Sequence, residues 1–191
     1  MKSVHDLLPL VTPYAGPCPE PVQRQQLRLA AGRFCADTEI WREVMDPVPS
    51  VAGQAAYPLT PPATHETAIL RLLEVRVGGA AQDERGYALG ADGKLHLATA
   101  PVKDDIEIVA AVVWLPMESC VDYPEWLMNR WEAGIAAGAL AQLKLMAGQP
   151  WADPHGAGLH MSAYLDAVAR AKSENLTGRK VDLRVPMRRF V

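Results

Sequence analysis

Ile106-Glu-Ile-Val-Ala-Ala-Val-Val-Trp-Leu115 is the stretch on which the reading of the fold turns. It is rich in β-branched residues and bounded by Asp104-Asp105 and Pro116, the composition and punctuation of a strand. Upstream, Ile69-Leu-Arg-Leu-Leu-Glu-Val-Arg-Val77 runs into Gly78-Gly79. Leu73, Val75 and Val77 there alternate with Glu74 and Arg76, as in a strand with one buried face. Tyr87 to Leu89 and Lys94 to Leu97 flank Ala91-Asp92-Gly93, a turn signal that predicts a hairpin. Pro47, Pro49, Pro58, Pro61 and Pro62 exclude a helix nearer the N-terminus, while Val44, Val48, Val51 and Tyr57 suit strands. Residues 46–117 therefore read as a small antiparallel β lobe.

On either side the texture is helical. Val4, Leu7, Leu8 and Val11 recur at helical spacing, with Ser3 as a cap and Pro13 as a stop. After a Pro-rich connector from Pro13 to Pro21, Glu20-Pro-Val22 opens a second helix. Its stripe is read as Leu27, Ala30, Ala31, Phe34 and Trp41, with Gln23, Arg24, Arg28 and Arg33 turned elsewhere. Beyond the β lobe, Asp122-Tyr-Pro-Glu-Trp126 predicts a capped helix start, and a long helix runs to about Ala147 before Gly148 and Pro150. Gly134, Ala137, Gly138 and Ala141 leave little bulk on it, which implies close packing with a neighbour. Asp153-Pro154 starts a last helix, with Leu159, Met161, Tyr164, Leu165 and Val168 apolar and Lys172, Ser173 and Gly178 at its end. The expected architecture is α+β: a helical bundle of about four helices from residues 1–45 and 118–177, interrupted by the small antiparallel insertion at 46–117. An extended C-terminal arm over 178–191 completes it.

The 191 residues suffice for one well-packed domain, and 49% hydrophobic with 21% charged residues is a globular composition. A net charge of −3 argues against a protein that wraps nucleic acid, because affinity for phosphates comes from a surplus of Lys and Arg. Cys18, Cys35 and Cys120 are odd in number and widely spaced, which suggests neither a disulfide framework nor a zinc site and fits a reducing compartment. MKSVHDLL lacks the apolar stretch of a secretory signal, and the small apolar run from Ala133 to Leu143 is too short to cross a bilayer. No membrane association is expected.

The residues carry no recognisable chemistry. Neither a G-x-x-x-x-G-K-[ST] nor a G-x-G-x-x-G phosphate cradle occurs, no serine sits in G-x-S-x-G, and Cys35 lies within an amphipathic helix. His155 and His160 follow Asp153 and could be imagined as metal ligands, but five residues along a helix turn the second side chain away from the first. Asp104-Asp105 and Asp83-Glu84 read as solvated turn acids. Trp126 and Trp131 are also five apart, which suits a core residue, Trp131, beside an anchor, Trp126, to another helix or a neighbouring subunit. No cofactor, metal or catalytic group is expected. The C-terminal residues stand out, with Arg179, Lys180, Arg184, Arg188 and Arg189 against the single acid Asp182. Val181, Leu183 and Val185 alternate with polar groups there, and Pro186, Phe190 and Val191 follow. A frayed end is the plain alternative to a docking arm.

Three stretches together resemble the head-to-tail adaptor, or connector, proteins that sit beneath the portal of short-tailed and related tailed bacteriophages. They are Leu7-Leu-Pro-Leu-Val-Thr-Pro-Tyr-Ala-Gly-Pro-Cys-Pro-Glu-Pro21 with Leu29-Ala-Ala-Gly-Arg-Phe-Cys35 and Trp41-Arg-Glu43; Tyr123-Pro-Glu-Trp-Leu127 with Ile135-Ala-Ala-Gly-Ala-Leu-Ala-Gln-Leu143 and Pro150-Trp-Ala152; and Arg184-Val-Pro-Met-Arg-Arg-Phe-Val191. The resemblance implies a structural virion protein without enzymatic activity, assembled as a dodecameric homo-oligomeric ring around the DNA channel at the head-tail interface. It further implies that the ring is built in the host cytoplasm and that DNA passes without sequence-specific binding. The portal protein would be gripped by an arm of Arg179, Lys180, Arg184, Val185, Pro186, Arg188, Arg189, Phe190 and Val191, and a tail nozzle or tube protein would meet the β lobe. The alternatives are a cytosolic enzyme whose site is assembled from scattered residues such as Asp153, His155 and His160, and a monomeric scaffolding or binding module.

Overall fold

The computed structural model describes residues 1–59 and 66–178. Among the described residues the chain opens with strand β1 (Lys2–Ser3), a 3-10 turn over Val4–Leu7, the short helix α1 (Leu8–Val11) and a second 3-10 turn over Thr12–Tyr14. Helix α2 (Glu20–Thr38) leads into β2 (Arg42–Val44), β3 (Val48–Pro49), β4 (Ala56–Pro58), β5 (Thr67–Val77), β6 (Ala80–Ala81), β7 (Tyr87–Leu89), β8 (Lys94–Leu97) and β9 (Glu107–Pro116). Strand β10 (Asp122–Tyr123) precedes helices α3 (Glu125–Lys144) and α4 (Pro154–Gly178).

The expected helical bundle with a small β insertion is overturned. The described strands form three antiparallel sheets, the largest of five strands, and the fold is a mixed α+β one based mainly on sheet. Strand β9 is the axis of that largest sheet. On one edge it pairs with β2 and β3 in succession, and on the other with β5, from Thr67↔Pro116 to Val77↔Ile108. Two register shifts, between Ile69 and Arg71 and between Leu72 and Glu74, add the local bend and twist that curl the sheet. Val112, Val113 and Trp114 are all fully buried, so this part of β9 is covered on both faces, and β9 packs against α2. Strands β4, β8 and β7 form the second sheet, in which β7 and β8 are the expected hairpin with Tyr87 opposite Leu97. The third joins β1 to β10, with Lys2 opposite Tyr123.

Among the described residues one hydrophobic cluster runs from the helices into the sheets, through Phe34, Trp41, Trp114, Tyr123 and Trp131 to Val75 and Leu95. Trp41 marks where the helical reading failed locally. Helix α2 ends at Thr38, whose hydroxyl donates to the Phe34 carbonyl (2.6 Å), and Glu39 adopts the left-handed conformation (φ 50°) while its N–H donates to Cys35 O (2.8 Å). Trp41 thus enters the core from the connection to β2. Its ring lies against Tyr123 (5.7 Å between centroids), and its indole N–H shares the Glu43 carboxylate with that of Trp114, at 3.0 Å each.

Two other expectations change. Asp122 does not cap α3: it belongs to β10, and the N-cap position is held by Pro124. Gln23 is not a solvated residue but is 3% exposed, accepting from the Thr12 hydroxyl (2.9 Å) and donating to Cys18 O (2.8 Å). That pair of bonds staples the Pro-rich connector to α2.

The helices pack α2 on α3 and α3 on α4. A Cβ added to Gly134 would lie 2.5 Å from the Ala167 methyl, and one added to Gly138 would lie 2.7 Å from the Tyr164 ring. The absence of side chains at these two positions sets how closely α4 approaches. No helix among the described residues is long and apolar enough to cross a membrane.

Candidate functional site

The residues expected to form the docking arm, Arg179, Lys180, Arg184, Val185, Pro186, Arg188, Arg189, Phe190 and Val191, lie outside the described residues. The alternative site at the start of α4 is described, and there Asp153 is committed to structure. One carboxylate oxygen accepts from Gly156 N (2.9 Å) and the other from Lys144 Nζ (3.2 Å), while its carbonyl accepts from Ala157 N (2.8 Å). These bonds, the Gly156 amide foremost and then Lys144, hold its carboxyl below the usual range. His160 packs edge-on to Tyr14 (6.4 Å between centroids), and partial burial pushes its imidazole toward the neutral form. Asp153, His155 and His160 do not converge, and among the described residues no group of three His, Cys, Asp or Glu side chains could hold a metal ion.

The remaining chemical candidates are likewise built into the scaffold. Cys35 is fully buried and its thiol is pushed far up by desolvation; Cys120, also buried, is raised to about 11 by the same cause. Both are held as thiols, the form that does not act as a nucleophile. Asp104 accepts from Ala52 N (2.7 Å) within a clasp between residues 50–54 and 101–106. At its centre the Ser50 hydroxyl donates to Lys103 O (2.8 Å) and accepts from Ile106 N (3.0 Å). Gly78 and Gly79, both at positive φ, make the tight turn between β5 and β6.

What the structure adds is a surface. A groove of about 400 Å³ lies between α2 and α4, floored by α3 at Gly138 and lined by Leu29, Met161 and Tyr164, with Arg33 and Gln142 beside them. Gly138 lets the Tyr164 ring come close to α3, while its phenol donates across to Asp37 Oδ2 of α2 (3.0 Å). A second, open depression lies between α2 and the end of β9, sharing Leu29 and Arg33 and lined on the other side by Leu115, Pro116 and Met117. The helices also expose Leu29, Leu159 and Leu165, and Trp126 is 49% exposed at the start of α3. Trp131, by contrast, is buried against Phe34 (5.5 Å between centroids). The groove escaped the sequence reading because its walls meet only when α2 and α4 pack on α3. Gly138, on the small-residue face of α3, was the one signal of it.

No protein-family profile matches the chain, and no curated protein is a significant match to it.

Proposed function

We propose that this chain is a non-enzymatic virion protein, the head-to-tail adaptor of a tailed bacteriophage, which assembles as a ring between the portal and the tail around the DNA channel. The observation that carries an assembly role is the groove between α2 and α4, walled by Leu29, Met161 and Tyr164 with polar Arg33 and Gln142 beside them, together with Trp126 half exposed at the start of α3. An apolar groove with a polar rim is the kind of surface that marks protein-protein contact. The resemblance of the Leu7–Pro21, Tyr123–Leu127 and Arg184–Val191 stretches to adaptors supplies which assembly it is. In this reading Arg179 to Val191 reach the portal, with Arg184, Arg188, Arg189 and Phe190 as contacts, and the sheets face a tail nozzle or tube protein. A net charge of −3 suits a ring through which DNA slides without adhering.

The test is to mix the purified protein with portal rings and image the mixture by electron microscopy. A second ring stacked coaxially on the portal, with twelve subunits in the resemblance's stoichiometry, is the expected result. Portal rings without added density, with the protein monomeric beside them, would refute the proposal.

A further inference from the structure

The ring reading leaves open which surfaces of neighbouring subunits meet. A closed ring of identical subunits needs a heterologous contact, in which one patch of the chain meets a different patch of the next copy. Two such patches are present. The first is convex: Trp126 is half exposed in the first turn of α3, next to the exposed Glu125. A tryptophan is costly to leave in water and is the side chain most enriched among residues that dominate binding energy. The second is the groove between α2 and α4, whose volume of about 400 Å³ accommodates one indole and whose walls are Leu29, Met161 and the Tyr164 ring. Arg33 stands at its edge and is exposed.

Resting on the ring reading, we propose that Trp126 of one subunit seats in the α2–α4 groove of the next, with Glu125 of the first facing Arg33 of the second. Three properties pair the patches. One projects where the other is hollow. The indole meets an aromatic ring, a thioether and a leucine, partners that favour it by packing and by sulfur-aromatic contact. The carboxylate beside the knob is opposite in sign to the guanidinium beside the hollow, which fixes register more than it adds affinity. An aromatic side chain covers roughly 150–250 Å² when buried, against roughly 800 Å² per partner in a stable interface, so Trp126 is the anchor of a broader contact. The exposed Leu165, one helical turn beyond the groove-lining Met161 on α4, lies on the side from which that contact can broaden.

The full chain carrying Trp126→Ala, Glu125→Arg or Arg33→Glu, and the double variant Glu125→Arg/Arg33→Glu, would be compared with the wild type. Association would be followed by sedimentation across a concentration series, alone and with purified portal rings, and circular dichroism would confirm that each variant is folded. Because all three side chains are exposed, melting should stay near the wild-type value. The expected result is a loss of self-association of roughly thirtyfold or more for Trp126→Ala, the size of a binding hot spot, and weaker association for each charge reversal. The double reversal should recover most of that loss. If the wild type forms rings and the variants form them equally well, or if the double reversal is as impaired as the two single ones, the assigned contact is wrong while the ring stands. If the wild type forms no ring with or without portal, the ring reading fails and this contact falls with it.

Discussion

Adding one methyl group to Gly134 should destabilise the protein, although alanine is the better helix former. The new Cβ would sit 2.5 Å from the Ala167 methyl, where carbon atoms in contact prefer about 3.5–4.0 Å. Helices α3 and α4 must therefore part by about 1 Å locally, and neither contacting group is the end of a flexible side chain. Overpacking of this kind costs about 1–3 kcal/mol, while replacing a helical glycine by alanine returns up to about 1 kcal/mol. The net expectation for Gly134→Ala is a loss of about 1 kcal/mol. Gly32 in α2 provides the reference within the same chain, because nothing lies within 4 Å of the Cβ it would acquire. Gly32→Ala should stabilise by up to about 1 kcal/mol, so the two substitutions should differ by about 2 kcal/mol and move Tm in opposite directions. For a chain of this size that is a separation of roughly 4–8 °C in thermal melts. Ala167→Gly in the Gly134→Ala background removes the opposing methyl and should show favourable coupling in a double-mutant cycle. A Tm for Gly134→Ala raised as much as that for Gly32→Ala would refute the claim that this glycine sets the approach of α4.

Other substitutions test the scaffold. Glu43→Leu removes the acceptor of both the Trp41 and Trp114 indole N–H groups and should cost about 2–4 kcal/mol in urea unfolding, with Glu43→Gln retaining part of it. Ser50→Ala breaks both hydroxyl bonds of the clasp between residues 50–54 and 101–106. It should lower stability by about 1–2 kcal/mol and speed amide exchange in those two segments ahead of the rest. Asp153→Ala should lower Tm at neutral pH. The folded-state pKa of Asp153 is depressed, so its contribution is present above the unfolded carboxylate value and is lost as pH falls through the folded one. Wild type and variant should accordingly converge in acid, and a Tm deficit independent of pH would show that the carboxylate charge plays no part.

How much of this was legible depended on how far apart in sequence the partners lie. The β7–β8 hairpin and the turn at Gly78-Gly79 were readable because a glycine turn and its flanking alternation sit within one short window. Strand β9 was readable from its β-branched run, and the ends of α4 from Pro154 and Gly178. The weight of the sheet relative to the helices was not. Strands β2, β3 and β6 span two or three residues each and carry no periodicity of their own, and they become strands only by pairing with β9 or β5. Trp41 was placed on a helical stripe because its spacing from Phe34 fits one. The left-handed Glu39 that ends α2 is not a glycine, so the stop had no signature in the sequence.

The same distinction governs the surface. A tryptophan in the first turn of a helix and glycines within it are visible in the sequence, whereas the exposure of Trp126 and the groove beside Gly138 are properties of packed helices. Gly134 and Gly138 serve different ends despite lying one turn apart. At Gly134 the missing side chain is filled by Ala167, so the position is about helix approach alone. At Gly138 it is filled by the Tyr164 ring, which is held by its hydroxyl on Asp37 and leaves its flank in the groove. A bulky residue at Gly138 would therefore displace Tyr164, unsettling the helix packing and the groove wall at once. Loss of ring assembly in a Gly138 variant would thus not identify the interface. The exposed positions Trp126, Glu125 and Arg33 are the ones whose alteration separates assembly from folding.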